Sequence, residues 1–475
     1  MERLHYWGKL EIAGAKDISA SRLGIGFEKL DRDVFDPEKA YDKVARIGVK
    51  KIRVQSGWAR TEKTEGVYDF AWLDKIVDNL CERGMEPWIC LCYGNPVYTD
   101  LAKPVFGAVG CPPIATAKEM NAWLAYVKAT VAHFKDRVSI YEIWNEPDCN
   151  YSWRHCENEE IDHLRNADEY GAFALETAKA IKELAPEVKT MGFALGHAED
   201  LEYVNRALAT GLYRYLDLVS FHCYSPNELT RRKRAHGLRV LLDSYNPEIG
   251  LVQGETGAQS RSDGNGAMKG FAWTREKQVK ALLRGLVMDM AEGVVFTSYF
   301  STMDMIEALR GRLADKASYL DYGYFGVIGA EFDENGRASG EYKEKPAYYA
   351  LQTLASLMRG DCRACALPWR FEELPSRRVN GTDCTANTVQ VETFRLDDGK
   401  RVLIYWNAVD LLTATFEGTV SLQVFGVDAA RIRLLDLRDG SIYTLTDAMV
   451  EDMGKGGVRL KNIPLTDSPL ALLLD

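Results

Sequence analysis

Eight times between about residue 20 and residue 358, a short apolar run is followed by a longer amphipathic helical pattern. That alternation is the mark of parallel strands joined by crossover helices. The runs are Leu23 to Phe27, Lys51 to Gln55, Pro87 to Cys92, Val138 to Trp144, Thr190 to Ala194, Leu216 to Phe221, Gly250 to Gly254 and Val294 to Ser298. Helical patterns lie near Pro37 to Ile47, Phe70 to Arg83, Ala117 to Phe134, Ala167 to Leu184, Leu201 to Thr210, Arg231 to Tyr245, Arg275 to Glu292 and Lys345 to Met358. Asp36-Pro37 supplies an N-cap with proline at the first helical position, and Gly48 and Gly84 sit where glycine ends helices. The expectation is an α/β chain built on a closed (β/α)8 TIM barrel with enlarged loops. An open doubly wound sheet is the rival, but no Gly-rich phosphate loop follows the first strand.

From about Cys362 the texture changes to period-two alternation between turns such as Asp397-Asp398-Gly399 and Arg438-Asp439-Gly440. Six or more strands at hairpin spacing predict a C-terminal all-β sandwich, to which the segment Trp7 to Ile12 can add a strand. The expected division is residues 1–20 as an N-terminal segment, 21–360 as the barrel and 361–475 as the sandwich. The sandwich offers a surface for subunit contact, so a homo-oligomer is among the expectations.

A net charge of −10 and a pI near 5.4 argue against nucleic acid or an anionic membrane as main partner, because both select basic surfaces. Met1 to Trp7 holds no apolar leader core, and no stretch approaches the roughly 18 apolar residues of a membrane span. A cytoplasmic protein is expected. The ten cysteines suit that reading: Cys81, Cys90, Cys92 and Cys223 lie in apolar patterns, and Cys362-x-x-Cys365 lacks a second pair at zinc-site spacing. Cys149 and Cys156, with His155 and His163, flank one loop; their irregular spacing favours neither a disulfide nor zinc.

Two strand ends carry carboxylates. Tyr141-Glu142-Ile143-Trp144-Asn145-Glu146-Pro147-Asp148 closes strand four, and Pro147 stops the run from continuing as strand or helix. Leu251-Val252-Gln253-Gly254-Glu255-Thr256-Gly257 closes strand seven, with glycines that permit a sharp turn. Hydrolysis of a glycosidic bond with retention needs two carboxyl groups about 5–5.5 Å apart, one protonated and one ionised, and strand ends across a barrel mouth meet that need.

With these two motifs the chain resembles the retaining glycoside hydrolases of clan A, which include cellulase-like, β-xylosidase and β-galactosidase families. The resemblance implies that Glu146 is the acid/base, that Asn145 hydrogen-bonds the sugar 2-hydroxyl and that Glu255 is the nucleophile. It further implies that Arg53, ending strand two, holds the nucleophile, and that His222-x-Tyr224 after strand six sets a tyrosine hydroxyl beside it. Gly57-Trp58-Ala59-Arg60-Thr61-Glu62, Gly66-Val67-Tyr68-Asp69-Phe70 and Lys345-Pro346-Ala347-Tyr348-Tyr349-Ala350 are similar to segments of family 39 β-xylosidases. The loop after Glu255 and Tyr299-Phe300-Ser301, at the end of strand eight, have no such counterpart.

Glu142 shares strand parity with Glu146 and is expected one layer deeper, paired with Arg53, since a buried charge needs a partner. Arg53 could be that partner alone, and His222 a satisfied core histidine. Trp58, Trp144, Trp153 and Trp273 are candidates for stacking on a sugar, while Trp72, Trp88 and Trp123 fit core positions. Glu28 and Lys29, ending strand one, reach either a sugar or each other, and Tyr299 is a further candidate contact. The reading is a retaining β-glycosidase needing no cofactor and exo-acting on short oligosaccharides or glycosides. A transglycosidase of the same fold, or a carbohydrate-binding barrel without turnover, is the alternative.

Overall fold

The computed structural model describes residues 4–154, 162–373, 377–379, 382–384 and 389–474. Eight parallel strands close into a barrel: Leu23–Gly26, Lys51–Gln55, Glu86–Leu91, Ile140–Ile143, Lys189–Leu195, Leu218–His222, Gly250–Thr256 and Thr297–Tyr299. The first pairs with both the second and the eighth, so that Gly26 lies beside Arg53 and Leu23 beside Thr297. The expected (β/α)8 architecture is therefore present. Its eighth strand pairs regularly over only three residues, beginning three positions later than the apolar run Val294 to Ser298 predicts.

The helices Tyr41–Ile47, Ala71–Glu82, Ala117–Phe134, His163–Leu184, Leu201–Ala209, Leu229–Tyr245, Arg275–Ala291 and Pro346–Leu357 follow the strands in turn. The helix Ala117–Phe134 shows how: the Thr116 hydroxyl caps it by accepting the Glu119 N–H, and Trp123, Tyr126, Val127, Thr130, Val131 and Phe134 fall on its buried face. Three- and four-residue steps put those side chains on one stripe against the barrel.

Alternation along the strands builds the interior in layers. Trp88, Ile140, Met191, Leu218, Val252 and Phe296 form an apolar floor. One layer up the parity brings Arg53 and Glu142 together, and above them the strand ends open to the mouth. The floor leaves no passage through the barrel, so a ligand enters from the strand C-terminal side alone.

Two larger antiparallel sheets, with a short separate hairpin of Arg377–Val379 and Thr382–Cys384, make up the described C-terminal region. Seven strands run in the order His5–Lys9, Ser441–Thr444, Arg433–Asp436, Leu470–Leu474, Arg401–Asn407, Val389–Arg395 and Arg363–Ala364. Four more run in the order Trp369–Glu373, Glu417–Phe425, Gly457–Thr466 and Val450–Gly454. Leu403, Tyr405 and Leu472 face Leu422, Val458 and Leu460 inside the sandwich, while their neighbours Val402, Ile404, Trp406 and Ala471 join the barrel's own core. Buried Arg284, on the helix Arg275–Ala291, donates to the carbonyls of Asn407, Val409 and Asp467 across this contact. The central strands Arg433–Asp436, Leu470–Leu474 and Arg401–Asn407 of the larger sheet are thus largely buried on both faces.

After strand eight the chain inserts two hairpins, Met305–Ile306 with Tyr322–Gly323 and Ile328–Phe332 with Ala338–Glu344. The periodicity argument passed over them, although in the second the Gly336 N–H closes a turn on the Asp333 carbonyl and Gly336, at φ 77°, takes the left-handed position that such a loop gives to glycine. Among the described residues no helix is long and apolar enough to cross a membrane.

Candidate active site

Strand four stops at Ile143, and the backbone then takes left-handed conformations at Trp144 (φ 66°) and Glu146 (φ 48°). Positive φ at residues other than glycine is costly and persists where surrounding contacts hold it. Here the Glu146 N–H donates to the Ala194 carbonyl at 3.0 Å, and the Ser152 hydroxyl donates to the Asn145 carbonyl. Both Asp148 carboxylate oxygens accept backbone N–H groups, from Gly196 at 2.9 Å and His197 at 2.6 Å. These bonds tie the loop after strand four to strand five and the loop that follows it, and turn the Glu146 side chain into the barrel mouth.

Glu255 arrives from strand seven. Its predecessor Gly254 packs so closely on the Ser220 hydroxyl that a Cβ there would collide with it. The glycine lets strands six and seven approach at the height where Glu255 emerges.

Between the two carboxylates lies His222. Its Nδ1 is 2.8 Å from Glu146 Oε1 and 3.8 Å from Glu255 Oε2, and all three groups offer atoms lying within 4.8 Å of one another. Beneath them sits Arg53, fully buried. It donates from Nε to Glu142 at 2.7 Å, from Nη1 to Glu255 at 2.7 Å and to Glu28 at 3.2 Å, and from Nη2 to Asn145 Oδ1 at 2.8 Å. The Tyr224 hydroxyl donates to the other Glu255 oxygen at 2.5 Å.

These contacts drive the two carboxyls apart electrostatically. Burial pushes Glu146 above its ordinary range against the pull of the His222 hydrogen bond, and the Glu255 charge pushes the same way as burial. Burial would raise Glu255 as well, but His222, Arg53 and the Tyr224 hydroxyl together hold it below its ordinary range. The two carboxyls are thus pushed in opposite directions, Glu146 toward the protonated form and Glu255 toward the ionised one. His222 is itself held up: burial would lower it, but the charges of Glu255 and Glu146 prevail.

The mouth forms a cavity of about 340 Å³. Glu28, Lys29, Asn145, Glu146, Tyr224 and Glu255 line it, and Phe300 and Phe325 supply its apolar wall. Phe300, Phe325 and Tyr224 pack edge to face with centroids 5.5–6.3 Å apart. Lys29 donates to Glu307 at 3.2 Å, and burial pushes Glu307 up to about 7 although Lys29 opposes it. Burial likewise pushes Glu28 up to about 7, against Arg53.

The structure brings together Glu146, Glu255, Asn145, Arg53, His222, Tyr224 and Glu28. Trp58, Trp153 and Tyr299 lie elsewhere and are corrected here. Trp58 is fully buried, its ring between Tyr98 and Tyr126 and its Nε1 donating to Glu62 at 2.6 Å. Trp153 is fully buried against Trp144 and Phe173. Tyr299 points outward, its hydroxyl donating to the Ala258 carbonyl at 3.1 Å and lying 3.3 Å from Gln278 on the adjacent helix. Strand parity therefore gives the cavity to Phe300, one residue on. Trp144 and Trp273 are buried too and lie off the cavity lining, as do Trp88 and Trp123; Trp72 is half-buried beneath Arg60.

Phe300, Phe325 and Glu307 are the site residues that sequence reasoning missed. A parity count from strand eight would have found Phe300; no local signal marks the other two, which come from the hairpin region.

Two clusters of described residues offer three metal-ligating side chains at close range: Glu146, His222 and Glu255, and separately Asp148, Cys149 and His197. The first already receives the Arg53 guanidinium and the Tyr224 hydroxyl, which leaves little demand for a further cation. Of the loop residues weighed for zinc, His155 and Cys156 lie outside the described residues, and His163 pairs with Asp200 at 2.6 Å.

A family model for Glycosyl hydrolases family 39 matches residues 39–234, which hold barrel strands two to six. A β-xylosidase of Geobacillus stearothermophilus is 26% identical over 227 residues, 44% of this chain and 42% of that protein, so the match spans less than half of that relative. The solved structure of a family 39 glycoside hydrolase from the gut symbiont Bacteroides cellulosilyticus WH2 superposes with TM-score 0.63 at 17% identity, covering 98% of this chain and 82% of the other. A monomeric β-xylosidase from Caulobacter crescentus CB15 gives TM-score 0.59 at 17% identity, covering 98% and 97%. Matched in sequence over the first part of the barrel and in fold over nearly its whole length, the chain carries the pattern of the family 39 β-xylosidase-like glycoside hydrolases of clan A.

Proposed function

We propose that the chain is a retaining β-glycosidase in which Glu255 is the nucleophile and Glu146 the acid/base. The observation that carries this reading is the approach of Glu146 and Glu255 oxygens within 4.8 Å. Retaining enzymes hold their carboxyl groups about 5–5.5 Å apart, whereas inversion needs room for a water at about 6.5–9.5 Å. In the proposed cycle Glu146 protonates the leaving oxygen while Glu255 attacks the anomeric carbon; Glu146 then takes a proton from the water that releases the sugar. Arg53 fixes the Oδ1 of Asn145, which leaves the amide N–H groups to meet the sugar 2-hydroxyl.

A cavity of about 340 Å³ closed below by the apolar floor suits the end of a short glycoside, so the proposed action is exo. Similarity to β-xylosidases puts β-xylosides first among the substrates to try. Eight of the ten cysteines, Cys149 and Cys223 among them, are free thiols, which suits a reducing, cytoplasmic setting. We also keep the division of the chain near residue 360, supported by the sandwich's separate apolar cluster.

The test is release of nitrophenol from a panel of aryl β-glycosides and α-arabinosides by wild type, Glu255→Gln and Glu146→Ala. Activity that falls by about 10³-fold or more in Glu255→Gln, and returns in Glu146→Ala with added azide, is the expected result. Full activity in Glu255→Gln would overturn the assignment. Product analysis with an added alcohol separates hydrolysis from transfer, and binding of sugar with no turnover across the panel would favour the non-catalytic alternative.

A further inference from the structure

At the rim of the cavity, on the side that carries Glu146, three metal-ligand types meet from two loops. Asp148 and Cys149 follow strand four, and His197 follows strand five. His197 Nδ1 lies 3.6 Å from Asp148 Oδ2 and 3.7 Å from Cys149 Sγ, and the three ligand atoms all fall within 4.8 Å of one another. Zinc bonds of about 2.0–2.3 Å to oxygen, nitrogen and sulfur give tetrahedral edges of about 3.3–3.6 Å, so two of the three edges are met within a few tenths of an ångström.

The triad is also held in place. Asp148 is fixed by the backbone N–H groups of Gly196 and His197, which leaves each oxygen a second lone pair. Cys149 Sγ packs directly on Gly196, where a Cβ would collide with it. Cys149 and His197 line the cavity, and the His197 side chain is 56% exposed, so a fourth coordination position would face the open mouth.

We propose that Asp148, Cys149 and His197 form a site for a soft divalent cation of the Zn²⁺ or Cd²⁺ class, and that its occupancy obstructs the Glu146 side of the cavity. Burial, with Glu146 and Asp148 nearby, pushes the Cys149 thiol up, so the free thiol keeps its proton. On binding the metal–sulfur bond forms as that proton passes to solvent. Three protein ligands and one open position make an exchangeable site rather than a structural one. The obstruction rests on the reading of Glu146 as acid/base; the binding does not.

The test uses the full chain and Cd²⁺ alone as probe, followed by the ultraviolet thiolate-to-metal absorption, in wild type, Cys149→Ser, Cys149→Ala and His197→Asn. The expected result is one tight equivalent per wild-type chain, abolished in both Cys149 variants and weakened by about tenfold or more in His197→Asn. Unchanged absorption in the Cys149 variants would overturn the site, and thermal melts of the metal-free proteins check that each variant is folded. In parallel, Zn²⁺ should inhibit wild-type aryl-glycoside hydrolysis with the same midpoint as binding. Each Cys149 variant, relative to its own metal-free rate, should need about tenfold more. Equal sensitivity would place the inhibiting metal on Glu146, His222 and Glu255 and overturn the obstruction. If no glycoside is cleaved at all, the proposed function fails while the absorption titration still decides the metal site.

Discussion

Arg53 Nη1 lies 2.7 Å from Glu255 Oε2, and the same guanidinium also holds Glu142, Glu28 and Asn145. One fully buried cation thus positions three carboxylates and one amide. A planar fork of five donors can do this, whereas a lysine ammonium could not reach all four partners.

Arg53→Met should therefore damage stability and chemistry together. Breaking a buried charge network leaves unpaired carboxylates and costs about 3–5 kcal/mol, read as a fall in the chemical-denaturation midpoint. Because Arg53 holds Glu255 down, its loss raises that pKa, and the acid limb of the kcat/KM profile moves to higher pH. An unmoved acid limb would remove Arg53 from control of Glu255.

His222→Asn should shift the whole pH profile. His222 lowers the pKa of Glu255 and, through its hydrogen bond, that of Glu146. Removing it raises both, so the acid limb, where Glu255 must lose its proton, and the alkaline limb, where Glu146 must keep one, each move upward. A profile displaced in one limb alone would show that His222 acts on a single carboxyl.

Glu307 predicts a pH dependence of stability. Its folded pKa of about 7 lies above the ordinary 4.5, so the fold favours the protonated form. Its contribution is fully present below about 4.5 and is lost as pH rises through about 7, because the unfolded chain ionises first. Glu307→Gln should flatten the decline in Tm across that window, and melting curves at pH 5 and pH 7.5 check it. A wild-type decline that the variant reproduces in full would assign the effect to other groups, Glu28 first.

Trp58→Phe tests the corrected placement of the aromatic residues. The substitution removes packing between Tyr98 and Tyr126 and the bond to Glu62, so Tm falls while KM stays within about twofold. Phe300→Ala, which opens the cavity wall, should raise KM instead. A large KM change in Trp58→Phe with no loss of Tm would return Trp58 to the site.

Much of the barrel was legible because strand and helix periods are properties of consecutive residues. Apolar runs of five or six alternating with helical stripes leave few other ways to bury so much apolar surface. Glu146 and Glu255 could be picked out for a similar local reason: Pro147 and Gly254 mark where each strand ends, and strand ends in a closed barrel share one mouth. Parity also placed Glu142 beneath Glu146, within reach of Arg53.

What the chain does with its aromatic residues was decided only by tertiary packing. Trp58, Trp153 and Tyr299 sit at strand ends or in loops, as sugar-stacking residues would, yet each is consumed by neighbours distant in sequence such as Tyr126, Phe173 and Gln278. The cavity wall instead comes from Phe300 and Phe325, and its far corner from the Lys29–Glu307 pair, which joins residues 278 positions apart. The sequence by itself determined the order of strands and helices and the two carboxylates at the mouth, since these follow from local period and strand termination. The opposite pKa shifts of those carboxyls, the shape of the cavity and the meeting of Asp148, Cys149 and His197 belong to the tertiary structure, because each depends on distances across the barrel that no local pattern encodes.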